Sequence, residues 1–155
     1  MKKFLEQYKI GLDFWALVLF ALIMLPNIVY WCIPAFSDLD VNSATDTAAR
    51  VFQVIGVALL LFLVQKPQEK KQASEKKPFF DSLFMMVTLL LLLYYAAWII
   101  YFCGTLNVAI LLFLAGCPCI ALALFALERR NFFALVPLIV FSVLHIVATL
   151  QIVVF

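Results

Sequence analysis

Residues 66–103 read KPQEKKQASEKKP followed by FFDSLFMMVTLLLLLYYAAWIIYFC. The first thirteen hold five lysines and two glutamates, all but Lys66 between Pro67 and Pro78, and the next twenty-five hold one charge, Asp81. A run of about 20 apolar residues is what an α-helix needs to cross a bilayer. A lysine-rich segment at its start is what holds that end in the cytoplasm. The same alternation runs through the rest of the chain. Ten of the eleven Lys and Arg residues fall at the start (Lys2, Lys3, Lys9), in the 66–77 linker and in the Arg129-Arg130 pair. Asp38, Asp40 and Asp46 form an acidic stretch between two apolar runs.

Five segments are long and apolar enough to span: 14–36, 48–65, 79–103, 106–127 and 132–155. Continuous apolar runs without period-2 alternation point to helices and away from a barrel. The expected fold is all-α, a single integral membrane domain over 1–155 built as a bundle of five transmembrane helices. With five spans, the N-terminus, the 66–78 linker and the 128–131 turn share one side. The positive-inside rule places that side, and the N-terminus, in the cytoplasm and the C-terminus outside. The start, Met1-Lys2-Lys3, resembles a signal peptide, but the apolar run behind it is too long for one, so it reads as an uncleaved first span.

Composition agrees. Of 155 residues 67% are hydrophobic and 13% charged, and mean hydropathy is +1.12. Soluble domains average about half apolar and a quarter charged. The solvent for most of this surface is lipid, so the lipid bilayer is the first partner. The net charge of +2 gives no nucleic-acid footprint, because the basic residues sit where topology needs them.

The connections carry further expectations. Thr45, Asp46 and Thr47 are N-cap candidates for the second helix. Gly104-Thr105 and Glu128-Arg129-Arg130-Asn131 are tight turns, so helices three and four, and four and five, should be antiparallel neighbours. The short 37–47 loop suggests that helices one and two pack tightly. Tyr30, Trp31, Trp98 and Tyr101 fall near outer helix ends and Trp15 near an inner one, where amphipathic rings favour the membrane interface. Asp13, Asp81 and Glu128 lie at the inner boundary and are expected to be solvated.

Leu25-Pro26-Asn27-Ile28-Val29-Tyr30-Trp31, followed by Pro34, is the densest polar element inside a span. Pro26 lacks an N–H, so a freed carbonyl is expected near Leu22. Helical spacing puts Asn27 and Trp31 on one face with Tyr30 close by. Arg50 follows Asp46 by four residues, which predicts a local ion pair, and Gln53 continues that face one turn deeper. Two readings stand. Asn27, Tyr30, Trp31, Arg50 and Gln53 edge one polar pocket in the outer half of the bundle, or Asn27 makes an ordinary interhelical hydrogen bond while the rings anchor the interface.

The stretch from Leu25 to Gln65 resembles a group of small five-span membrane proteins of Gram-positive bacteria. The shared features are the Leu-Pro-Asn element, the Tyr30-Trp31 pair, Pro34, an acidic polar loop and a second apolar run. The resemblance implies a bacterial plasma membrane location. It implies no activity and transfers no site residues.

Cys117-Pro118-Cys119 resembles the intramembrane element of copper-transporting P-type ATPases. Thiolates suit Cu(I) or a comparably soft ion. Everything else in that family is missing, including the phosphorylated Asp motif and the nucleotide domain. What stays open is a thiolate site for copper or zinc on Cys117 and Cys119, or two thiols buried as small hydrophobes. Cys117 lies about 17 Å in from the outer end of its helix, whereas Cys32 and Cys103 lie near the surface, so the four cannot share an ion. Cys32 and Cys103 could meet as an outer-face thiol pair. His145, the single histidine, is either a functional intramembrane group or a neutral ring bonded to a neighbouring helix.

No Ser-His-Asp set, HExxH motif or carboxylate pair lies within a span, so no catalytic residues and no cofactor are expected. The expectation is a non-catalytic accessory or partner subunit, with a protein partner or its own copies. The alternatives are a small oligomeric transporter or channel and a thiol or metal-binding protein.

Overall fold

A computed structural model describes residues 7–32, 44–66, 78–105 and 107–154, with side chains for all of these except 78–81 and 152–154. The elements in chain order are β1 (Tyr8–Ile10), α1 (Phe14–Cys32), α2 (Ala44–Phe62), β2 (Leu63–Gln65), α3 (Pro78–Phe102), α4 (Val108–Glu128) and α5 (Phe132–Val154). The fold is the expected all-α bundle. Each of its five helices is long and apolar enough to cross a membrane. At 1.5 Å per residue, the 19 residues of α1 and of α2 span about 28 Å, close to the thickness of a hydrocarbon core.

The main packing axis is not the expected one. α2 makes its broadest contact with α5, α3 pairs with α4, α4 with α5, and α1 touches α2, α3 and α4 only sparsely. Helices one and two therefore do not form the tight pair that their short connection suggests. Gly56 explains the preference of α2 for α5. A Cβ there would lie 2.8 Å from Cγ and Cδ2 of Leu138 and 3.2 Å from its backbone nitrogen. Removing that one methyl lets the two backbones approach, the usual route to helix association where lipid is as apolar as the side chains. Ala49, Val57 and Leu60 of α2 and Ala134, Leu138 and Phe141 of α5 fill the seam, and Cys119, Leu122 and Phe125 of α4 close it. Large apolar side chains such as Val54, Leu92, Ile99, Val136 and Val143 are exposed on the outside. A soluble monomer could not tolerate that surface; a bilayer solvates it.

At one end the chain forms a clasp. β1 and β2 pair antiparallel, with Tyr8 opposite Gln65, Lys9 opposite Val64 and Ile10 opposite Leu63. The second helix was expected to run over 48–65. It begins four residues earlier and stops at Phe62, so Leu63–Gln65 are strand and Thr45, Asp46 and Thr47 lie inside the first turn rather than capping it. Pro67 disfavours helix just before it, and the clasp supplies the partners that an ended helix lacks. The last four carbonyls of a helix have no partner within it. Here Leu61 O accepts from Asp13 N at 2.9 Å and Phe62 O from Gly11 N at 3.0 Å. The Asn131 amide donates to Leu59 O at 2.9 Å and Leu63 O at 2.7 Å.

Asn131 is the buried polar residue at the centre of this junction, 2% exposed. Its backbone N–H bonds Ala126 O and that of Arg130 bonds Leu127 O, closing α4 in a Schellman pattern. Arg130 takes the left-handed position there, at φ 51°, where glycine is usual. The Asn131 side-chain oxygen accepts Ala134 N at 3.1 Å and caps α5. Tyr8 donates to Arg130 O at 2.8 Å and packs edge-on against Phe133.

Asp13, expected to be solvated, is instead mostly covered. Its carboxylate caps α1 by accepting from Trp15 N and Ala16 N, and it pairs with Arg129 at 3.2 Å. One carboxylate oxygen of Glu128 is buried as well. The reason is common to both: the clasp covers the boundary that would otherwise face water. The Asp81 side chain lies outside the described ones, as do residues 33–36 and 155 at the ends of the first and last expected spans.

Gly56→Ala is expected to destabilise the bundle by about 1–3 kcal/mol, with partial recovery in Gly56→Ala/Leu138→Ala, measured by thermal unfolding in detergent. Asn131→Ala should cost about 2 kcal/mol or more by removing a cap and two carbonyl partners. Asn131→Asp, which keeps the cap oxygen but has no donor, should recover only part of that loss.

Candidate functional site

In the half of the bundle away from the clasp, polar groups from several helices gather inside the spans. Pro26 sets it up. The carbonyl it frees, Leu22 O, accepts from the Tyr95 hydroxyl at 2.8 Å. Ile23 O, next to it, accepts from the Tyr94 hydroxyl at 2.9 Å and from the Asn27 amide at 2.9 Å. The Asn27 amide also donates to the Tyr94 oxygen at 2.8 Å. The predicted carbonyl defect at Leu22 is thus present, and it joins α1 to α3.

Around this joint lies a cavity of about 290 Å³ bordered by all five helices. α1 contributes Asn27 and Trp31, α2 contributes Asp46, Arg50 and Gln53, α3 contributes Tyr94, α4 contributes Pro118, and α5 contributes His145. Ile23, Leu114, Leu122 and Phe141 supply apolar wall. Asp46 and Arg50 form the predicted ion pair, 2.7 Å apart, with the arginine well exposed. Gln53 lies about 14 Å below the start of α2, and His145 about 14 Å from the end of α5. The cavity therefore grades from charged at the bundle end to neutral polar and apolar near mid-depth. His145 stacks on Phe141, ring centroids 5.2 Å apart.

A second cavity of about 180 Å³ shares Asn27, Leu114 and His145 with the first. Tyr30, Trp98 and Tyr101 line it. Trp98 and Tyr101 were expected at the lipid interface. They are 7% and 6% exposed and pack inside the bundle with Tyr94 and Cys117, where Tyr30 of α1 meets both rings at centroid distances of 5.8 and 6.2 Å. The buried Trp98 indole N–H has no acceptor among the described residues.

Of the five residues expected to edge one pocket, Asn27, Trp31, Arg50 and Gln53 do so, and Tyr30 lines the adjoining cavity. Asp46, Tyr94 and His145 add further polar groups to the lining that the sequence reading does not place there. Tyr94 had a legible signal: a hydroxyl about 12 Å inside an apolar helix needs a partner. His145 stood out as an ionisable group inside a span, but nothing in the sequence says which other helices its ring faces.

The thiols separate. Cys119 sits in the main core and Cys117 in the aromatic cluster. Cys32 and Cys103 are exposed free thiols. Among the described residues no three His, Cys, Asp or Glu side chains come together to hold a metal ion.

A further cavity, about 380 Å³, lies at the clasp and is bordered by Asp13, Lys66, Glu128, Arg129 and Arg130. Its charges belong to the junction already described.

These features define a multi-pass integral membrane protein with a polar cavity at each end of its bundle. Comparison with protein-family models, with curated proteins and with solved structures finds no match to the chain.

Interhelical hydrogen bonds in membranes are worth about 0.6 kcal/mol on average and up to about 1.7. Tyr95→Phe is expected to cost an amount in that range. Tyr94→Phe and Asn27→Leu should each cost more and be strongly non-additive together, because they share one network. A double-mutant cycle on thermal unfolding checks this.

Proposed function

We propose that the chain is a bacterial plasma membrane protein with its N-terminus in the cytoplasm and its C-terminus outside. In this reading it works without catalysis, as an accessory or partner subunit that holds a small polar ligand in the outer half of its bundle. The observation that carries it is the five-helix cavity around Asn27, Arg50, Gln53 and His145. Its groups are hydrogen-bonding and charged, but they include no nucleophile held by a base, the arrangement that covalent catalysis uses. The orientation is supported by the basic residues Lys66, Arg129 and Arg130 gathering at the clasp end, while Asp46 lies at the opposite end. The bacterial location is supported by the Leu25–Gln65 resemblance.

A second reading, a small oligomeric transporter, is favoured by one observation. Polar cavities occur at both ends of the bundle, one bordered by Leu60 and the other by Leu122, with the apolar core that contains both residues between them. Self-association in native membranes together with uptake by proteoliposomes would support it over the first.

Two measurements test the proposal. Single-cysteine variants that keep Cys32 or Cys103 should react with an impermeant maleimide added to intact cells, whereas one that keeps Cys117 or Cys119 should not. Labelling of Cys32 and Cys103 only after the membrane is opened would reverse the orientation. Isolation from native membranes after mild cross-linking should yield a stoichiometric protein partner. Recovery of the chain alone would remove the subunit role.

A further inference from the structure

The lipid-facing side of the α2–α5 seam carries an apolar groove separate from both polar ends of the bundle. Phe52, Ile55 and Leu59 of α2 form one wall and Phe133, Val136 and Val140 of α5 the other, around a space of about 550 Å³. Ile55 and Val136 are 44% and 63% exposed, so the groove opens on the surface that faces lipid. Each wall runs about 10 Å along its helix at 1.5 Å per residue. Leu59 lies close to the end of α2 and Phe133 close to the start of α5. The groove therefore sits in the clasp half of the bundle, within the depth of one leaflet, about half of a 30 Å hydrocarbon core.

The chemistry of the walls selects the occupant. Helices associate in membranes through small residues that let their backbones approach, and none of the residues lining the groove is Gly, Ala, Ser or Thr. Long aliphatic and aromatic side chains suit a flexible methylene chain better than a second helix. At its clasp end the groove meets charge. Leu59 and Phe132 border the groove, and their chain neighbours Leu60 and Asn131 border the clasp cavity. That cavity is lined by Lys66, Arg129 and Arg130 against Asp13 and Glu128, a formal excess of positive charge. Tyr8 joins the two spaces by bonding Arg130 O and packing on Phe133. Lys66 also opens the linker that carries Lys70, Lys71, Lys76 and Lys77. Basic side chains at the end of a span attract anionic headgroups through their summed potential. That attraction requires no side chain to give up the contacts it already makes.

We infer that the α2–α5 groove holds one anionic diacyl phospholipid, one acyl chain lying against Ile55 and Val136 and the phosphate at the basic mouth beside Lys66 and Arg130. This site is independent of any ligand in the cavity around Asn27.

The test uses the full-length protein in a mild detergent, read by native mass spectrometry. The probes are phosphatidylglycerol and the zwitterionic phosphatidylcholine with the same acyl chains. One phosphatidylglycerol per chain is expected to be retained, at least about fivefold more tightly than phosphatidylcholine, the factor that one basic residue supplies near a membrane surface. Lys66→Gln and Arg130→Gln, both at exposed positions, should together abolish that preference. Val136→Trp, which puts bulk into the groove, should weaken retention of phosphatidylglycerol by a similar factor while the protein still unfolds cooperatively. In the unaltered chain, phosphatidylglycerol with a diazirine midway along one acyl chain should label residues 52–59 and 132–140 above the other helices. Glycerol phosphate, which offers the phosphate without the chains, should not displace it. Equal retention of the two lipids, even labelling of all five helices, displacement by glycerol phosphate, or an unchanged preference in the double variant would overturn the inference. So would a benzophenone side chain at position 136 that captures a second copy of the chain, or another protein, in native membranes.

Discussion

Inside a bilayer every backbone N–H and C=O has to find a partner within the protein, and this chain depends on how that demand is met where α2 ends. Asn131 takes up the carbonyls of Leu59 and Leu63, while Gly11 and Asp13 take up those of Phe62 and Leu61. The same asparagine closes α4 and caps α5. Three helix ends are thereby tied at one residue, and β1 brings the start of α1 to the same place. The ion pair of Asp13 with Arg129 adds charge neutralisation to a junction already closed by hydrogen bonds. Lys66, Arg129 and Arg130 thus border a packed structural element.

The other half of the bundle is built on the opposite principle. There Pro26 opens a helix, and the freed carbonyl is satisfied by a tyrosine from α3 rather than by backbone. α1 touches the other helices sparsely along its backbone and is held by these side-chain bonds, by the clasp and by Ala16, Leu19 and Ile23, which are buried in the main core. That light attachment leaves space beside α1, and the space becomes the two cavities. A helix packed as closely as α2 on α5 would have filled it. The polar residues that line the cavity are tolerated at mid-depth because they face protein and not lipid, the arrangement in which intramembrane polar groups usually carry function.

Cys117-Pro118-Cys119 illustrates how the same local pattern can mean different things. The two sulfurs leave α4 on different sides and enter different packing clusters. Pro118 itself borders the cavity. Its contribution to the site is as a wall element in a helix that also carries small residues into the core.

The number of helices and their approximate limits were legible in the chain, because each span is a long apolar run and each connection is polar or very tight. The pairing of α3 with α4 and of α4 with α5 was legible for the same reason. So were the Asp46–Arg50 pair and the vacant Leu22 carbonyl, since both follow from spacing within one helix. Which helices pack on which was not. The seating of α2 on α5 turns on one missing methyl at Gly56, and a lone glycine in an apolar run carries no address. The role of Asn131 was equally hidden, because its partners lie about seventy residues away. Four pocket residues could be grouped beforehand because they sit on two consecutive helices. His145 and Tyr94 joined them only when the tertiary fold brought α5 and α3 to the same space. Periodicity and composition determine what each helix is, whereas shape complementarity between helices decides where their polar faces meet.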